Sequence, residues 1–176
     1  MLNKDIIGWI EIENTKIHYP ILKDNNSLFY LKHSYDKKYN RSGSIFTINI
    51  NPFKDEETII YGHNMKNNSM FSKLGKYLNE DFFYKHNKIK IYTPSTNYEG
   101  KIFSAYSINI EEENNNIRNL NFDELIEYYK KSSKYNVSDI DSISKIVKLS
   151  TCSYINAKSS PTQERYYIIA NLVPIT

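Results

Sequence analysis

The chain has 176 residues, of which 40% are hydrophobic and 14% aromatic, and its formal net charge is +3. This length and composition exclude an intrinsically disordered chain and predict one folded domain, residues 1–176, with a substantial buried core. The basic residues are nearly all lysines scattered among acidic ones, so the sequence lacks the clustered basic face of a nucleic-acid-binding protein. We therefore expect no nucleic-acid partner.

Short strand patterns dominate the chain. Residues 8–12 alternate apolar and polar side chains, as a half-buried strand does. Similar runs follow, some of them separated by turn residues such as Asn51-Pro52. The further predicted strands are 16–22, 44–50, 57–61, 88–93, 98–110, 145–152 and 165–173. Seven or eight short strands predict an all-β fold that closes into a barrel, because closure removes exposed strand edges.

Fewer segments have helical spacing. Residues 69–77 place apolar side chains at roughly helical intervals, and 79–86 adds a further turn or two. The clearest predicted helix is 121–132, because Asn121 is a suitable N-cap, acidic residues follow it, and lysines occupy the last turn. We therefore expect a few peripheral helices around the barrel.

The chain contains a single cysteine, Cys152, at the end of the predicted strand 145–152. One cysteine cannot form an internal disulfide, so its value lies in packing, metal binding or reactivity. A lone buried cysteine is more often an inert core residue than a nucleophile. A reactive cysteine needs a base or a positive charge beside it, because the thiolate is the nucleophile.

Among the four histidines, His63 is the best candidate for that base. It follows the apolar strand 57–61 and Gly62, which we interpret as allowing a sharp turn just before the imidazole. The other three histidines lie in a strand pattern or in lysine-rich polar segments, and we expect surface or structural roles for them. Because His63 and Cys152 both end predicted strands, a β scaffold can present them at one rim as base and nucleophile.

Arg165 begins the next predicted strand and is one of only three arginines among 23 basic residues. Its planar, permanently charged guanidinium suits the binding of a substrate carbonyl or of a developing oxyanion. A surface ion pair with Glu164 or another carboxylate is the alternative interpretation.

The sequence argues against metals, cofactors and membrane-spanning segments. No C-x-x-C or H-x-x-x-H spacing occurs, which disfavours a structural zinc site, and we expect no metal. Glycine-rich phosphate and dinucleotide loops are absent, so we expect no cofactor. The chain has no run of about 18 or more apolar residues and no signal-peptide pattern at its start.

Three segments resemble the sortase family. Leu149-Ser150-Thr151-Cys152 resembles the active-site motif TLxTC, and Tyr61-Gly62-His63-Asn64-Met65 resembles the segment that carries the family's histidine. Arg165 matches the third active-site residue, and residues 7–21 resemble the first strands of class B sortases. The resemblance runs from about residue 5 to residue 173, and its motifs occur in the expected order.

Two features favour class B over class D, which is the alternative: the form of the histidine segment and a helix-bearing insertion, 121–132, before the cysteine strand. The resemblance implies a closed eight-stranded sortase-type barrel with a few peripheral helices, one of them in that insertion. Lys148 stands where the motif usually has threonine, and the interval between Cys152 and Arg165 is longer than usual.

The resemblance implies a sortase B-type cysteine transpeptidase, a thiol peptidase and hydrolase acting on peptide bonds. Cys152 would attack the threonine carbonyl of an NPxTx-like C-terminal sorting signal, His63 would protonate the leaving amine, and Arg165 would stabilise the intermediate. A catalytically silent sortase-fold binding domain is an alternative, which the intact catalytic residues disfavour. A papain-type peptidase is another, which a cysteine at the end of a strand disfavours.

The implied partners are surface proteins bearing the sorting signal and an amine of a peptidoglycan precursor, which would resolve the thioacyl enzyme. We expect Ser150, Thr151 and Asn64 to bind substrate, although Ser150 and Thr151 also fit as ordinary strand residues. We expect a monomer at the cell membrane of a Gram-positive bacterium, with a single-pass N-terminal anchor absent from this chain and the catalytic domain outside.

Overall fold

Eight strands close into one barrel in the computed structural model, which describes residues 2–140, 142–152 and 162–175. The strands are β1 (Ile6–Ile12), β2 (His18–Lys23), β3 (Ile45–Thr47), β4 (Glu57–Tyr61), β5 (Lys88–Tyr92), β6 (Asn97–Asn109), β7 (Ile146–Cys152) and β8 (Glu164–Ile175). Their order around the barrel is β1-β2-β3-β4-β7-β8-β6-β5. The pairs β2/β3 and β4/β7 are parallel, and the other neighbours are antiparallel. The predicted eight-stranded barrel is confirmed.

Short helices surround the barrel. They are α1 (Glu80–Lys85), α2 (Ile110–Ile117) and α3 (Phe122–Ser132), with 3-10 helices at Phe29–Leu31 and Ser72–Leu78. Both α2 and α3 lie between β6 and β7, in the predicted insertion. The Asn121 side chain accepts from the Glu124 amide, and the Glu124 side chain accepts from the Asn121 amide, which forms a capping box at the start of α3. The predicted N-cap is therefore confirmed.

Strand 44–50 is shorter than predicted, because a side chain replaces part of the backbone pairing. β3 ends at Thr47. Beyond it, Asn49 Oδ1 accepts from the Ile59 amide at 2.9 Å, and Asn49 Nδ2 donates to the Glu57 carbonyl at 2.8 Å. An asparagine side chain can satisfy backbone groups in this way, so the strand pattern continues in the sequence after the ladder has ended.

The predicted helix 69–77 is wrong in type and in its start. Met70 has φ of 56°, which is incompatible with a helix interior, and its amide donates to the Tyr19 hydroxyl at 2.9 Å. The helix that follows, Ser72–Leu78, is a 3-10 helix, and α1 begins after Asn79. Apolar spacing alone did not reveal the left-handed residue that delays the helix.

Successive side chains of β7 lie on opposite faces of the barrel wall. Val147 and Leu149 belong to the interior core and are fully buried. Lys148, Ser150 and Cys152 alternate with them and therefore share the outer face, on the side covered by α2 and α3. The strand thus holds its last outward residue, Cys152, on a wall whose other face is rigidly packed.

The expectation of a single-pass membrane anchor is wrong for the part of the chain that the structure describes. α3, with 11 residues, is its longest helix. No helix there is both long and apolar enough to cross a membrane.

Candidate active site

The pairing of β7 with β8 brings Cys152 and Arg165 together. The two strands are antiparallel, and Cys152 lies directly opposite Arg165 in the register. Side chains that face each other across an antiparallel pair have Cβ atoms about 4.5–5.5 Å apart and lie on the same face. The long interval between these residues in the sequence does not displace the arginine from the cysteine.

The guanidinium of Arg165 is held by backbone oxygens. Its Nη1 donates to the carbonyls of Thr162 at 2.8 Å and Glu164 at 2.9 Å. In the described part of the chain its contact with Glu164 is thus to the backbone, and no ion pair with the Glu164 carboxylate is found. Because a guanidinium carries five N–H groups in one plane, fixing Nη1 orients the plane and leaves further donors for a bound group.

The pairing of β4 with β7 places His63 beside Cys152. Tyr61 is opposite Ser150 in this parallel pair, and the Gly62 amide continues the ladder by donating to the Ser150 carbonyl at 3.2 Å. One residue after the histidine, Asn64 Nδ2 donates to the carbonyl of Cys152 at 2.8 Å. The residues on both sides of His63 therefore donate hydrogen bonds to carbonyls of the cysteine strand, one from the Gly62 backbone and one from the Asn64 side chain.

A backbone carbonyl also orients the imidazole of His63. Its Nε2 lies 2.6 Å from the carbonyl oxygen of Leu31. A carbonyl oxygen can only accept, so Nε2 carries the hydrogen, which leaves Nδ1 as the nitrogen available to exchange a proton. Sequence reasoning missed Leu31, since any residue type supplies a carbonyl and only the path of the 3-10 helix Phe29–Leu31 places it there.

One cavity of about 410 Å³ connects these groups, and Cys152, His63 and Arg165 all line it. Its walls are mainly apolar or aromatic and come from the segment before β3, from β3 and the residue after Thr47, from β4 and β8, and from α2. These apolar and aromatic lining residues are Leu28, Leu31, Phe46, Ile48, Ile59, Tyr61, Ile110, Ile117 and Tyr167. Burial raises the pKa of both Tyr61 and Tyr167, so the phenols that face the cavity are neutral. The cavity suits a ligand that has apolar surface and a polar group placed at Cys152, His63 and Arg165.

The three predicted substrate-binding residues have different positions. Ser150 lines the cavity and shares the outer face of β7 with Cys152. Thr151 also lines the cavity, but its side chain belongs to the opposite face of β7. The Thr151 hydroxyl is buried without a hydrogen-bond partner among the described residues. Asn64 is not among the lining residues, and its amide is bound to the Cys152 carbonyl. Substrate binding by these residues stays a prediction.

Gly62 has a different purpose from the one inferred from the sequence. Of the described glycines, only Gly43 has a positive φ, so Gly62 does not need a left-handed backbone. A Cβ at Gly62 would instead lie 2.5 Å from Ile45 Cδ1 and 2.7 Å from Phe71 Cδ2, and both of these side chains are buried in the core. Glycine is needed here because the core packs against the backbone just before His63.

We therefore expect Gly62→Ala to lower the free energy of unfolding by about 1–3 kcal/mol, since core side chains must shift to make room. Urea unfolding followed by circular dichroism measures this change. Gly100→Ala is the control, because a Cβ there meets Leu172 Cδ2 at 3.1 Å, and we expect a smaller loss. Equal stability of Gly62→Ala and the parent would contradict the packing argument.

A buried polar network adjoins the cavity through Lys148, which lines it. Glu113 of α2 accepts from Lys148 Nζ at 2.5 Å, from the Tyr106 hydroxyl at 2.6 Å and from the Tyr128 hydroxyl at 2.8 Å. Lys148 Nζ also donates to the Tyr129 hydroxyl at 3.2 Å, and this hydroxyl donates to Glu57 Oε1 at 2.6 Å. The network joins both helices of the insertion to strands of the barrel.

Glu57, at the end of this network, makes stability depend on pH. Burial raises the pKa of its carboxyl above the ordinary 4.5, and the Tyr129 hydrogen bond and the Lys148 charge offset this only in part. The folded protein thus binds a proton at Glu57 more tightly than the unfolded chain does. Its contribution to stability falls as pH rises from about 4.5 through the raised pKa.

Glu57→Gln removes this titration and keeps an oxygen that accepts from Tyr129. We expect the glutamine variant to gain stability relative to the parent as pH rises from about 4 to about 7. Urea unfolding of both proteins at the two pH values measures the difference. The same difference in the free energy of unfolding at both pH values would contradict this prediction.

The chain is similar to known proteins of one family. The sequence model of the protein family described as the sortase domain matches residues 10–173 of this chain. Sortase B of Listeria monocytogenes is 40% identical over 86% of the chain, which spans 64% of that protein. Sortase B of Staphylococcus aureus is 32% identical over 99% of the chain and 73% of its own length.

Solved structures match over nearly the whole chain. Sortase B of Clostridium perfringens has a TM-score of 0.86 and 28% identity, and the match covers 97% of this chain and 95% of that one. A complex of S. aureus sortase B with its substrate has a TM-score of 0.84 and 30% identity, and the match covers 99% and 82% of the two chains. This chain belongs to the sortase family and, within it, to class B.

Proposed function

We propose that the chain is a cysteine transpeptidase that cleaves an NPxTx-like sorting signal after its threonine and transfers the acyl fragment to an amine. The observation that carries this proposal is the meeting of Cys152, His63 and Arg165 at one largely apolar cavity. A structure of S. aureus sortase B in complex with its substrate supports substrate binding by this fold, since that chain matches this one with a TM-score of 0.84.

The first half of the reaction forms a thioester. The Cys152 thiolate attacks the carbonyl carbon of the threonine, and the negative charge that develops on the oxygen accepts hydrogen bonds from Arg165. The C–N bond then breaks, and His63 Nδ1 gives its proton to the leaving amine. The fragment ending in threonine stays on sulfur, and the remainder leaves as a free amine.

The second half reverses these roles. An incoming amine attacks the thioester, His63 Nδ1 takes the proton that this amine loses, and Cys152 leaves as a thiolate. The products are a new amide and the starting enzyme, so atoms and protons balance. We propose an amine of a peptidoglycan precursor as the natural acceptor.

Mass spectrometry of the products tests the proposal. A panel of NPxTx-like peptides and scrambled controls is incubated with the protein, with and without a primary amine such as triglycine. We expect the fragment ending in threonine to appear joined to the amine, and only for the motif-bearing peptides. Release of the same hydrolysed fragment whether or not amine is present would contradict transfer and would indicate a peptidase. No product from any peptide would instead favour a silent binding domain.

A further inference from the structure

Helix α2 forms one wall of the cavity, yet its sequence gives it little apolar surface. Ile110 and Ile117, at its two ends, line the cavity together with Asn114. The residues between the isoleucines are three glutamates and three asparagines. Glu113 is the single buried residue of this fully described helix. An apolar stripe of the usual kind therefore does not hold α2 on the barrel.

Glu113 is instead held by directed polar contacts. Its side chain is 1% exposed and that of Lys148 is 2% exposed. The carboxylate accepts from Lys148, Tyr106 and Tyr128, and the lysine ammonium lies 4.1 Å from the ring centroid of Tyr167. Contacts of this kind have fixed lengths and angles, whereas apolar surfaces can slide over each other.

Lys148 connects this carboxylate to the catalytic strand. It lies on the same face of β7 as Ser150 and Cys152, and it also lines the cavity. In the register it is opposite Ile59 of β4 and Ile169 of β8, so strands on both sides fix its backbone. A shift of α2 away from the barrel would leave a buried ammonium and a buried carboxylate without each other, which is strongly disfavoured.

We propose that the Glu113–Lys148 ion pair sets the position of α2 over the barrel and thereby the width of the cavity that receives the substrate. Both are positioning residues that act through α2. For the identity of the bound peptide the inference rests on the proposed function, but the position of α2 can be measured without turnover.

Hydrogen exchange measured by mass spectrometry tests the positioning directly. The variants are Glu113→Gln, which keeps the size and the polar atoms, and Lys148→Met, which keeps the chain length. At a temperature where both are folded, we expect exchange of residues 110–117 to be at least about tenfold faster, with exchange of β8 unchanged. Lys101→Met is the control, because it removes the exposed pair with Asp139 and leaves α2 alone.

Steady-state kinetics of the two variants distinguish a role in positioning α2 from a general loss of protein stability. We expect KM for the motif peptide to rise about fivefold or more in both variants while kcat changes less than about twofold.

Three outcomes decide the matter. Unchanged exchange in 110–117 in a folded variant would overturn the proposal. Faster exchange with an unchanged KM would overturn the link between α2 and substrate. If the parent turned over no peptide, the proposed function would fail, and the exchange result would still decide whether the ion pair positions α2.

Discussion

Cys152→Ala is expected to abolish amine-dependent cleavage of the motif peptide, with a loss of at least about 1,000-fold in kcat/KM. The physical reason is that alanine cannot form the thioester, so neither half of the reaction has a covalent intermediate. The side chain is small and partly exposed at a strand end, so its removal leaves the barrel intact.

The measurement is product formation by mass spectrometry, with circular dichroism to confirm the fold. Because Cys152 is the single cysteine of the chain, alkylation by iodoacetamide titrates the active site in the same sample. The parent should gain one label and lose activity in step with it, and the variant should gain none. A Cys152→Ala protein that cleaves as well as the parent would show that another group is the nucleophile.

His63→Gln should lower kcat/KM by about 100-fold to 10,000-fold. The glutamine amide can still donate to the Leu31 carbonyl, so the variant removes the proton-exchanging nitrogen with little change to the loop. The leaving amine must then depart without a proton, which makes C–N cleavage slow.

A change of leaving group distinguishes proton transfer from positioning. With a peptide ester whose alcohol leaves readily without protonation, the deficit of His63→Gln should shrink markedly. His18→Gln is the control, because His18 is exposed and packs edge-on against Trp9 away from the cavity. An equal deficit with the amide and the ester substrates would contradict a general-acid role for His63.

The parts of the site that depend on strand ends could be predicted from the sequence. Cys152 and His63 each end an apolar run, and Arg165 begins one, so the sequence indicated that a β scaffold can present them at one rim. The strand directions that bring these ends together come from the parallel β4/β7 pair and the antiparallel β7/β8 pair. Their register could not be predicted, because a shift of one residue would turn Cys152 to the other face and sequence patterns do not set how β7 pairs with β8. The register is set by the pairing of β7 with β8 in the closed barrel, in which Cys152 lies opposite Arg165.

The parts that depend on backbone atoms or on paired burial could not be predicted. The Leu31 carbonyl that orients His63 has no side-chain signature. α2 lacks the apolar periodicity by which a helix is detected, since its buried residue is a glutamate. Lys148 was visible only as a departure from the motif, and its partner Glu113 lies 35 residues away in the chain.

Intact-protein mass spectrometry of the parent, quenched in acid after mixing with the motif peptide and no amine, tests the central claim most directly. We expect an added mass equal to the fragment ending in threonine, located on Cys152 after digestion, and lost when amine is added before the quench. Product release with no adduct at any time, or with an adduct on a different residue, would contradict the thioester mechanism.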